Sequence, residues 1–429
     1  MTGREAIDYF YCTAPDPATR RETGLLAMQN LMRELGNPHY RFASIHVAGT
    51  NGKGSIATYM ATTLSLGGYK VGLYTSPYLE KFNERIRITG QPVDDETLAD
   101  AAEQVREAER KILKAGSPMP TPFDRITAAG FLIMADAGVD IAIVEVGLGG
   151  QFDSTNVLTP VVSVIGRIGM DHTRILGNTL EEIAAAKAGI IKRGVPVVLY
   201  PACDEVRRVV EEICRQKDTS LHTFSRDDVQ IFHSDCRCVL FDFFGDEGGY
   251  LNLELGIPGD YQAYNAAAAI VALEQTAQAG FPMATLMIHK GLKAARWPGR
   301  MEWLGRILLD GAHNPQGAEA LARNLKGWLQ EKPVLICGIL GTKDYAAMVK
   351  IFAPLADQAV CVCPEEGRGL EPEALAELFS EEGVEAFAEK NAEAALKKAG
   401  ELAGNGPIVV CGSLYLVGQT RTLIRENKQ

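Results

Sequence analysis

The chain has 429 residues, of which 46% are hydrophobic and 23% charged, a balance that excludes a mainly disordered protein and allows sizeable buried cores. Lys and Arg number 43 against 54 Asp and Glu, so the net charge is -11 and general nucleic-acid binding, which needs clustered cations, is not expected. The sequence has no apolar run of the roughly 18 residues that a membrane span requires, so we expect no contact with a membrane.

The cysteines indicate a reducing environment. There are nine, an odd number, and no Cys-x-x-Cys pattern occurs among them. This usage predicts buried structural thiols, with neither a disulfide framework nor a zinc site. We therefore expect a cytoplasmic protein.

The first two thirds of the chain alternate short β-branched runs with Ala-rich stretches of helical pattern. This alternation is typical of a parallel sheet covered by helices on both faces. The predicted strands are Ile45–Ala48, Val71–Thr75, Ile141–Val146, Val161–Ile165 and Val195–Tyr200, and the predicted helices include Asp95–Leu113 and Leu180–Ala188. Residues 221–255 alternate more strictly and contain Gly-Asp-Glu-Gly-Gly at 245–249, which predicts a small antiparallel patch. A helix is expected from Tyr264 to Ala279.

The same alternation starts again after Trp297-Pro298-Gly299. Its predicted strands are Ile307–Asp310, Val334–Ile339, Ala359–Cys363 and Ile408–Cys411. We therefore predict an α/β protein with an N-terminal, mostly parallel sheet domain over residues 1–296, a hinge at 297–299, and a C-terminal Rossmann-like α/β domain over 300–429. One large continuous domain is the alternative.

A glycine-rich turn with a lysine follows the first predicted strand. The segment reads Gly49-Thr-Asn-Gly-Lys-Gly-Ser55, and an amphipathic helix begins directly after it. Glycines let backbone N–H groups approach phosphate oxygens, the helix N-terminus attracts an anion, and Lys53 adds a full charge. The turn therefore predicts a phosphate loop. Gly54 stands where such loops usually place a Mg²⁺-binding hydroxyl, so other residues must bind the metal.

This turn and the motifs that follow it resemble the folylpolyglutamate synthase and dihydrofolate synthase family of Mur-ligase-like amide synthases. The resemblance covers nearly the whole chain because the motifs occur in family order. They are Tyr74-Thr-Ser-Pro-Tyr-Leu79, Phe82-Asn-Glu-Arg-Ile86, Glu145-Val-Gly-Leu-Gly-Gly150, Asp171-His172, Ala186-Lys187-Ala-Gly189, Tyr264-Asn265-Ala266, Trp297-Pro-Gly-Arg300, Asp310-Gly-Ala-His-Asn-Pro315 and Gly412-Ser-Leu-Tyr415.

The resemblance implies an ATP- and Mg²⁺-dependent ligase. ATP phosphorylates the carboxylate of a folate, of dihydropteroate, or of both, and the amine of L-glutamate attacks the acyl phosphate. Such a reaction needs cations and preorganised hydrogen-bond donors around several anionic groups. We expect a monomer whose partners are these small molecules.

The family's metal positions fall on Ser76, Glu145 and His172. Ser76 and Glu145 follow or end predicted strands, where ligands bind in open parallel sheets. The resemblance also implies that Lys187 is carbamylated and that its new carboxylate reaches a second Mg²⁺, so two ions are expected. From the residues alone, a hydrogen-bonded loop histidine is the favoured explanation for His172, and a snorkelling or solvated lysine is the usual explanation for Lys187.

The remaining family positions concern the nucleotide and glutamate. For the nucleotide they are Asn51, Gly52, Lys53, Gly54, Ser55, Asn265, Arg300 and Asp310. For the transferred group and the incoming glutamate they are His313 and Ser413, so Lys53, Lys187 and His313 are the expected catalytic residues. A helix N-cap is the alternative for Asn265.

A second group of residues is expected to contact the pteroyl substrate. These are Thr121, Phe123, Gly149, Gly150 and Asp153. Asp124 replaces the Glu of the family's Thr-x-Phe-Glu pattern, and Gln151 stands where many relatives carry Arg. Phe123 is suited to stacking on a pterin ring, and a core position explains it as well.

Two other classes of protein remain as alternatives. A Mur-type ligase acting on another carboxylate would carry an extra N-terminal domain, whereas only about 40 residues precede the loop strand here. A nucleotide-dependent switch has no use for a second α/β domain carrying Asp310, His313 and Ser413. Phosphate release that depends on both a pteroate and glutamate separates the first interpretation from these two.

Overall fold

A computed structural model describes residues 1–13 and 23–426, which form two compact units. The first unit comprises Met1–Val229, Phe243–Gly249 and Tyr264–Ala295, and the second comprises Gln230–Asp242, Tyr250–Ala263 and Arg296–Gln429. The long segment of the second unit begins next to the predicted hinge, and two shorter segments precede it. The domain limits given above stay a prediction.

The first unit is built on an eight-stranded sheet with the order β4-β3-β2-β5-β1-β6-β7-β8. The strands are β1 (Ala43–Ala48), β2 (Val71–Tyr74), β3 (Ile86–Ile88), β4 (Gln91–Pro92), β5 (Ile141–Glu145), β6 (Val162–Ile165), β7 (Val197–Leu199) and β8 (Leu221–Thr223). β1 runs parallel to both of its neighbours, β5 and β6, and β2 runs parallel to β5. The carboxyl ends of these four strands therefore share one edge of the sheet. Within this sheet the β2–β3 and β3–β4 pairs are antiparallel, and all other neighbouring strands are parallel.

Helices cover this sheet because most of them carry one apolar face. They are α1 (Gly3–Tyr11), α2 (Leu26–Glu34), α3 (Lys53–Leu66), α4 (Asp95–Lys114), α5 (Pro122–Asp136), α6 (Thr173–Leu176), α7 (Leu180–Ala188), α8 (Asp204–Gln216), α9 (Tyr261–Gln278) and α10 (Thr285–Ala294). Helices α1, α2, α4 and α5 pack into one core together with residues of β2 and β5, such as Tyr74 and Val144. α3 is buried on most sides, as its mainly apolar and small residues allow.

A separate three-stranded sheet has the order β11-β10-β9. Its strands are β9 (Val229–Ser234), β10 (Val239–Gly245) and β11 (Gly248–Leu255), and short turns join them as antiparallel hairpins. The predicted antiparallel patch is thus confirmed from Val229 onward. The prediction was wrong for Leu221–Thr223, which pairs parallel with β7 and so extends the main sheet.

The second unit contains a six-stranded sheet with the order β12-β13-β17-β14-β15-β16. Its strands are β12 (Glu302–Leu304), β13 (Ile307–Leu309), β14 (Val334–Cys337), β15 (Gln358–Cys361), β16 (Glu385–Ala388) and β17 (Ile408–Cys411), and its helices are α11 (Pro315–Trp328), α12 (Tyr345–Phe352), α13 (Pro372–Glu381), α14 (Ala392–Ala403) and α15 (Leu414–Glu426). All neighbouring strands run parallel except β12 and β13. The predicted fold class, two α/β units with mostly parallel sheets, is confirmed.

The structure also bears on membrane-spanning helices and on the state of the cysteines. No helix within residues 1–13 and 23–426 has the length and apolar character needed to cross a membrane. All nine cysteines are free, but the prediction that they are buried holds only in part. Cys214, Cys337, Cys361 and Cys411 are buried, whereas Cys12 and Cys203 are exposed.

Candidate active site

The phosphate turn lies at the carboxyl edge of the first sheet, between β1 and α3. Gly52 has a φ of +85°, and a Cβ there would lie 2.5 Å from the side-chain oxygen of Asn265. A side chain at position 52 would therefore meet both backbone strain and a steric clash. The N–H groups of Thr50 and Asn51 donate to the carbonyl of Arg167 over 2.8 and 3.1 Å. These bonds fasten the turn to the segment that follows β6.

Two lysine ammonium groups approach the same backbone oxygen in this turn. Lys187 Nζ lies 2.7 Å from the Gly49 carbonyl oxygen, and Lys53 Nζ lies 3.2 Å from it. Lys187 is buried, and its burial together with the positive charge of Lys53 lowers its pKa from 10.5 to about 7. When both amines are protonated, they create a strongly positive position, which an anionic group would stabilise.

Glu145 lies with its carboxylate beside Lys53. It ends β5 and pairs in register with Val47 of β1, and its Oε1 lies 3.8 Å from Lys53 Nζ. Its other oxygen accepts a hydrogen bond from the N–H of Ser76 over 3.3 Å. The structure thus brings together Lys53, Glu145 and Ser76, three of the predicted site residues. A carboxylate beside a serine supplies the hard oxygen donors that Mg²⁺ prefers.

His172 lies on the loop before the short helix α6. Its backbone is left-handed with a φ of +50°, its N–H donates to Asp171 Oδ1 over 2.8 Å, and its ring lies 3.8 Å from the same oxygen. The negative charge of Asp171 acts on Lys187, whose pKa it raises against the larger effect of burial. The 171–172 segment is therefore electrostatically linked to the buried lysine through Asp171 rather than through the predicted ligand His172.

The loop of residues 147–153 packs directly against the end of α7, which carries Lys187. A Cβ at Gly150 would lie 2.6 Å from the Lys187 carbonyl oxygen, so only glycine allows this approach. The N–H of Gln151 donates to the Ala186 carbonyl over 3.0 Å. Gly149 has a φ of +69°. The predicted substrate residues Gly149 and Gly150 therefore lie beside the predicted catalytic lysine.

Asp153 stabilises the conformation of this loop by accepting hydrogen bonds from nearby backbone N–H groups. Its two carboxylate oxygens accept hydrogen bonds from the N–H of Leu148 over 2.9 Å and of Thr155 over 3.0 Å. The hydroxyl of Thr155 also donates to Asp153 and lies 2.8 Å from Nε2 of His46, which is fully buried on β1. Sequence reasoning missed His46, although a histidine within an otherwise apolar strand was a visible signal.

The predicted pterin motif is used in part for helix capping. Thr121 is the N-cap of α5, where its hydroxyl accepts from the N–H of Asp124 and the Asp124 carboxylate accepts from the N–H of Thr121. Asp124 also accepts from the Ser154 hydroxyl over 2.6 Å. Phe123 is half-buried, and its ring would lie 2.6 Å from a Cβ at Gly147. Thr121 and Asp124 thus have a complete structural explanation, and their substrate role stays a prediction.

The other predicted nucleotide residues of the first unit lie around the phosphate turn. Gly54 and Ser55 lie in the first turn of α3, and Ser55 is buried there. Asn265 lies within α9, which begins at Tyr261, so the N-cap alternative for Asn265 is excluded. Its buried amide lies against Gly52. Since the Arg167 carbonyl holds Thr50 and Asn51, both contacts restrain the same short turn.

Asp310 and Arg300 lie at the carboxyl end of β13 in the second unit. The buried Asp310 carboxylate accepts from the N–H of Met301 over 3.0 Å and from that of Ala312 over 2.9 Å. Burial raises its pKa, and the nearby Arg300 charge opposes that shift. The Arg300 side chain crosses Gly311, where a Cβ would lie 2.2 Å from Nη1, so a larger residue there would displace the guanidinium.

His313 and Ser413 follow neighbouring parallel strands, β13 and β17. His313 Nδ1 lies 2.8 Å from the carbonyl oxygen of Gly311, which can only accept, so Nδ1 carries a proton and Nε2 is the basic nitrogen of the neutral ring. The buried Ser413 hydroxyl accepts from the N–H of Tyr415 over 3.2 Å at the start of α15. The second sheet thus brings both predicted residues to one edge.

Comparison with protein families gives two adjacent matches. The Mur ligase middle domain matches residues 47–273, and the Mur ligase glutamate ligase domain matches residues 299–414. Together the matches include all the predicted site residues.

Individual relatives match over nearly the whole chain. Folylpolyglutamate synthase of Lacticaseibacillus casei is 38% identical over 93% of this chain and 94% of its own length. Dihydrofolate synthase/folylpolyglutamate synthase of Bacillus subtilis is 33% identical over 94% and 95%. Among solved structures, Mycobacterium tuberculosis folylpolyglutamate synthase complexed with ADP has a TM-score of 0.89 and 30% identity, covering 98% of this chain and 97% of that one.

Proposed function

Because the chain belongs to the folylpolyglutamate synthase and dihydrofolate synthase family of Mur ligases, it is an ATP-dependent glutamate ligase, and we propose that it joins L-glutamate to the carboxylate of a folate or of dihydropteroate. The γ-phosphoryl group of ATP passes to that carboxylate, which forms an acyl phosphate and releases ADP. The neutral amine of glutamate then attacks the acyl carbon, the bond to phosphate breaks, and the nitrogen loses a proton as the amide forms.

The observation that carries this proposal is the meeting of the Lys53 and Lys187 side chains at the Gly49 carbonyl, beside the Glu145 carboxylate. Phosphoryl transfer needs charge stabilisation that is already in place before the reaction begins. Lys53 approaches the phosphate turn from the first residue of α3, whose N-terminus adds its positive dipole. In this proposal Lys53 binds the β- and γ-phosphates, and Asn51, Gly52, Gly54, Ser55 and Asn265 bind or shape the rest of the nucleotide site.

We propose that Ser76, Glu145 and His172 bind one Mg²⁺ and that a carbamylated Lys187 binds a second. When bound, Mg²⁺ neutralises phosphate charge. The oxygen donors of Ser76 and Glu145 fit such an ion, whereas a bare ammonium at Lys187 does not. The pKa of about 7 supports carbamylation because addition of CO₂ requires the neutral amine, which an ordinary lysine with a pKa of 10.5 rarely presents at neutral pH.

Carbamylation has a specific test. Lys187→Ala should lose most activity while it still binds ATP, and acetate or formate should restore part of the activity by supplying the missing carboxylate. Full activity in Lys187→Ala would contradict the assignment. A matched control is Lys81→Ala, which removes an exposed lysine and should respond to neither anion.

The pteroyl group is proposed to bind at the loop that packs against Lys187. Gly149 and Gly150 let this loop pack closely against its neighbours, and Asp153 holds the loop backbone in its observed shape. Phe123 is proposed as an aromatic wall on the pterin side, with Thr121 at its helix start.

The second unit is proposed to serve the nucleotide and glutamate. Arg300 suits a phosphate, and Asp310 is proposed as a nucleotide contact through the loop whose N–H groups it holds. His313, whose Nε2 is the basic nitrogen, is proposed to assist the transferred group, and Ser413 to contact the glutamate. We further propose a monomer in the cytoplasm, in keeping with nine free thiols.

The test of the function is substrate-dependent release of phosphate. The purified chain is mixed with MgATP, L-glutamate and either dihydropteroate or tetrahydrofolate, and phosphate and the glutamylated product are measured together. Phosphate release should require both the pteroate and glutamate, and the product mass should increase by one glutamate. Phosphate release that does not need the pteroate or does not need glutamate would contradict the proposal. Phosphate release with an unrelated carboxylate in place of the pteroate would also contradict it.

A further inference from the structure

Three side chains of metal-binding type come together at the tip of the β9–β10 hairpin. They are His233 near the end of β9, Asp235 in the turn, and Cys238 just before β10. One ligand atom from each lies within 4.8 Å of the ligand atoms of the other two. None of the three belongs to the proposed ligase site, and the absence of a Cys-x-x-Cys pattern leaves this cluster invisible in the sequence.

The turn backbone fixes the position of the Asp235 carboxylate. Its Oδ1 accepts hydrogen bonds from the N–H of Arg237 over 2.8 Å and of Cys238 over 2.9 Å. The N–H of Asp235 donates to the carbonyl of Cys238 over 3.0 Å and closes the turn. Oδ2 therefore points toward His233, whose Nε2 lies 3.2 Å away. The backbone of the turn thus holds the carboxylate, and the imidazole pairs with that carboxylate directly.

The spacing of these atoms suits a small tetrahedral ion. Zinc bonds of about 2.0–2.1 Å to nitrogen and oxygen place two such ligands roughly 3.3–3.4 Å apart along a tetrahedral edge. The observed 3.2 Å between His233 Nε2 and Asp235 Oδ2 is close to that edge. A zinc–sulfur bond of about 2.3 Å lengthens the edge to a thiolate to about 3.6 Å. The Cys238 sulfur lies no farther than 4.8 Å from the other two ligand atoms.

We propose that the hairpin tip binds one Zn²⁺ through His233 Nε2, Asp235 Oδ2 and the Cys238 thiolate, with water as the fourth ligand. The Cys238 thiol loses its proton to solvent when its sulfur–metal bond forms, and neutral His233 contributes its lone pair. A mixed nitrogen, oxygen and sulfur set favours zinc over Mg²⁺, which prefers oxygen alone. The ion tightens a hairpin that is already attached to α11, where Trp328 Nε1 donates to the Ser234 carbonyl over 3.2 Å.

The test uses Co²⁺ and Zn²⁺ as probes on the full, metal-stripped chain under reducing conditions. One equivalent of Co²⁺ should produce a thiolate-to-metal charge-transfer absorption. Zn²⁺ should displace the Co²⁺, which removes this absorption, and should raise the melting temperature. Co²⁺ bound by Ser76, Glu145 or His172 has no sulfur ligand and cannot produce this absorption, so the ligase site does not interfere. Success or failure of glutamate ligation therefore has no bearing on the result.

The variants identify the ligands. Cys238→Ser should abolish the absorption, whereas Cys203→Ser, which changes an exposed cysteine elsewhere, should retain it. His233→Ala and Asp235→Asn should raise the apparent Kd for Zn²⁺ at least roughly tenfold, since even an outer partner of a metal ligand is worth about 10- to 100-fold. Melting of each metal-free variant near the parent temperature shows that the fold is intact. No charge-transfer absorption in the parent, or an equal one in Cys238→Ser, would overturn the proposal.

Discussion

The carboxyl edges of the two parallel sheets use their polar residues in different ways. At the edge of the first sheet, Lys53 and Lys187 share one carbonyl oxygen, and Glu145 lies 3.8 Å from Lys53. At the edge of the second sheet, both oxygens of Asp310 accept backbone N–H groups, and the Ser413 hydroxyl caps a helix. The first edge concentrates charge, whereas the second uses polar atoms to hold its loops.

This difference indicates how the two units contribute to a ligase. An edge that keeps several charges in close proximity has a stability cost that an anionic substrate or a metal ion offsets on binding. An edge whose polar side chains hold backbone groups presents a fixed shape instead. Substitutions at the first edge should therefore affect catalysis more than folding, and substitutions at the second should affect both together.

The largest separation of activity from stability is expected for Lys53→Ala. This change removes a full positive charge from the phosphate turn but no buried apolar contact, so turnover should fall roughly 100-fold or more while the melting temperature barely moves. Phosphate release and thermal melting of the same preparation measure the two effects. Lys81→Ala is the control, because that lysine is exposed and outside the turn. Near-normal turnover by a folded Lys53→Ala protein would contradict the phosphate-loop assignment.

The charge at Lys187 predicts a pH-dependent difference in stability. Its pKa is about 7 in the folded chain and 10.5 for an ordinary lysine, so between these values the unfolded chain binds more protons. The free energy of unfolding contributed by this group therefore rises with pH from about 7 to 10.5, and below pH 7 the folded chain bears the full cost of a buried ammonium. Lys187→Met should be more stable than the parent at pH 6, with a difference that narrows toward pH 10.

Urea unfolding of the parent and of Lys187→Met, in CO₂-free buffer without nucleotide, measures this difference. Subtraction of the two curves removes the titration of all other groups. Lys81→Met provides the matched control and should shift stability equally at every pH. A constant offset for Lys187→Met across this range would show that the buried amine does not titrate as described.

Asp310→Asn tests the second edge. An asparagine amide has one oxygen to accept with, so one of the N–H groups of Met301 and Ala312 would face an NH₂ group instead. We expect a loss of about 1–3 kcal/mol in the free energy of unfolding, with a parallel loss of activity. Urea unfolding beside turnover tests this coupling. A strong loss of turnover at unchanged stability would make the second edge resemble the first and remove the contrast between them.

The sequence predicted the parts of this molecule that depend on local pattern. The β-branched runs predicted the principal strands, and the glycines of residues 49–55 predicted the turn between β1 and α3. Contacts between distant residues were not predictable in this way. The hydrogen bond from Lys187 to Gly49 joins residues 138 positions apart, and that from His46 to Thr155 joins residues 109 apart. Only the order of the strands in the sheet brings these residues together.

A motif does not determine the role of its residues when the same residue types also stabilise local structure. Thr121 and Asp124 match a substrate pattern, but a threonine three residues before an acidic residue also forms a helix cap, which the structure contains. The motif alone cannot separate these two uses. For Lys187, by contrast, the structure excludes the solvated lysine that the residues alone suggested, because the side chain is buried.

The smallest effect on activity is expected at Thr155, beneath the loop that packs against Lys187. Thr155→Val keeps the shape of the side chain but removes the hydroxyl between His46 and Asp153. The Asp153 carboxylate keeps its bonds to the N–H groups of Leu148 and Thr155, so the loop should persist, but the buried Nε2 of His46 loses its partner and the free energy of unfolding should fall by about 1–3 kcal/mol. Because residues 148–153 lose one restraint, KM for the pteroate should rise while KM for ATP stays constant. Thr155→Ser, which restores the hydroxyl, should recover the parent KM; an equal change in both KM values would show that Thr155 supports the fold as a whole rather than this loop.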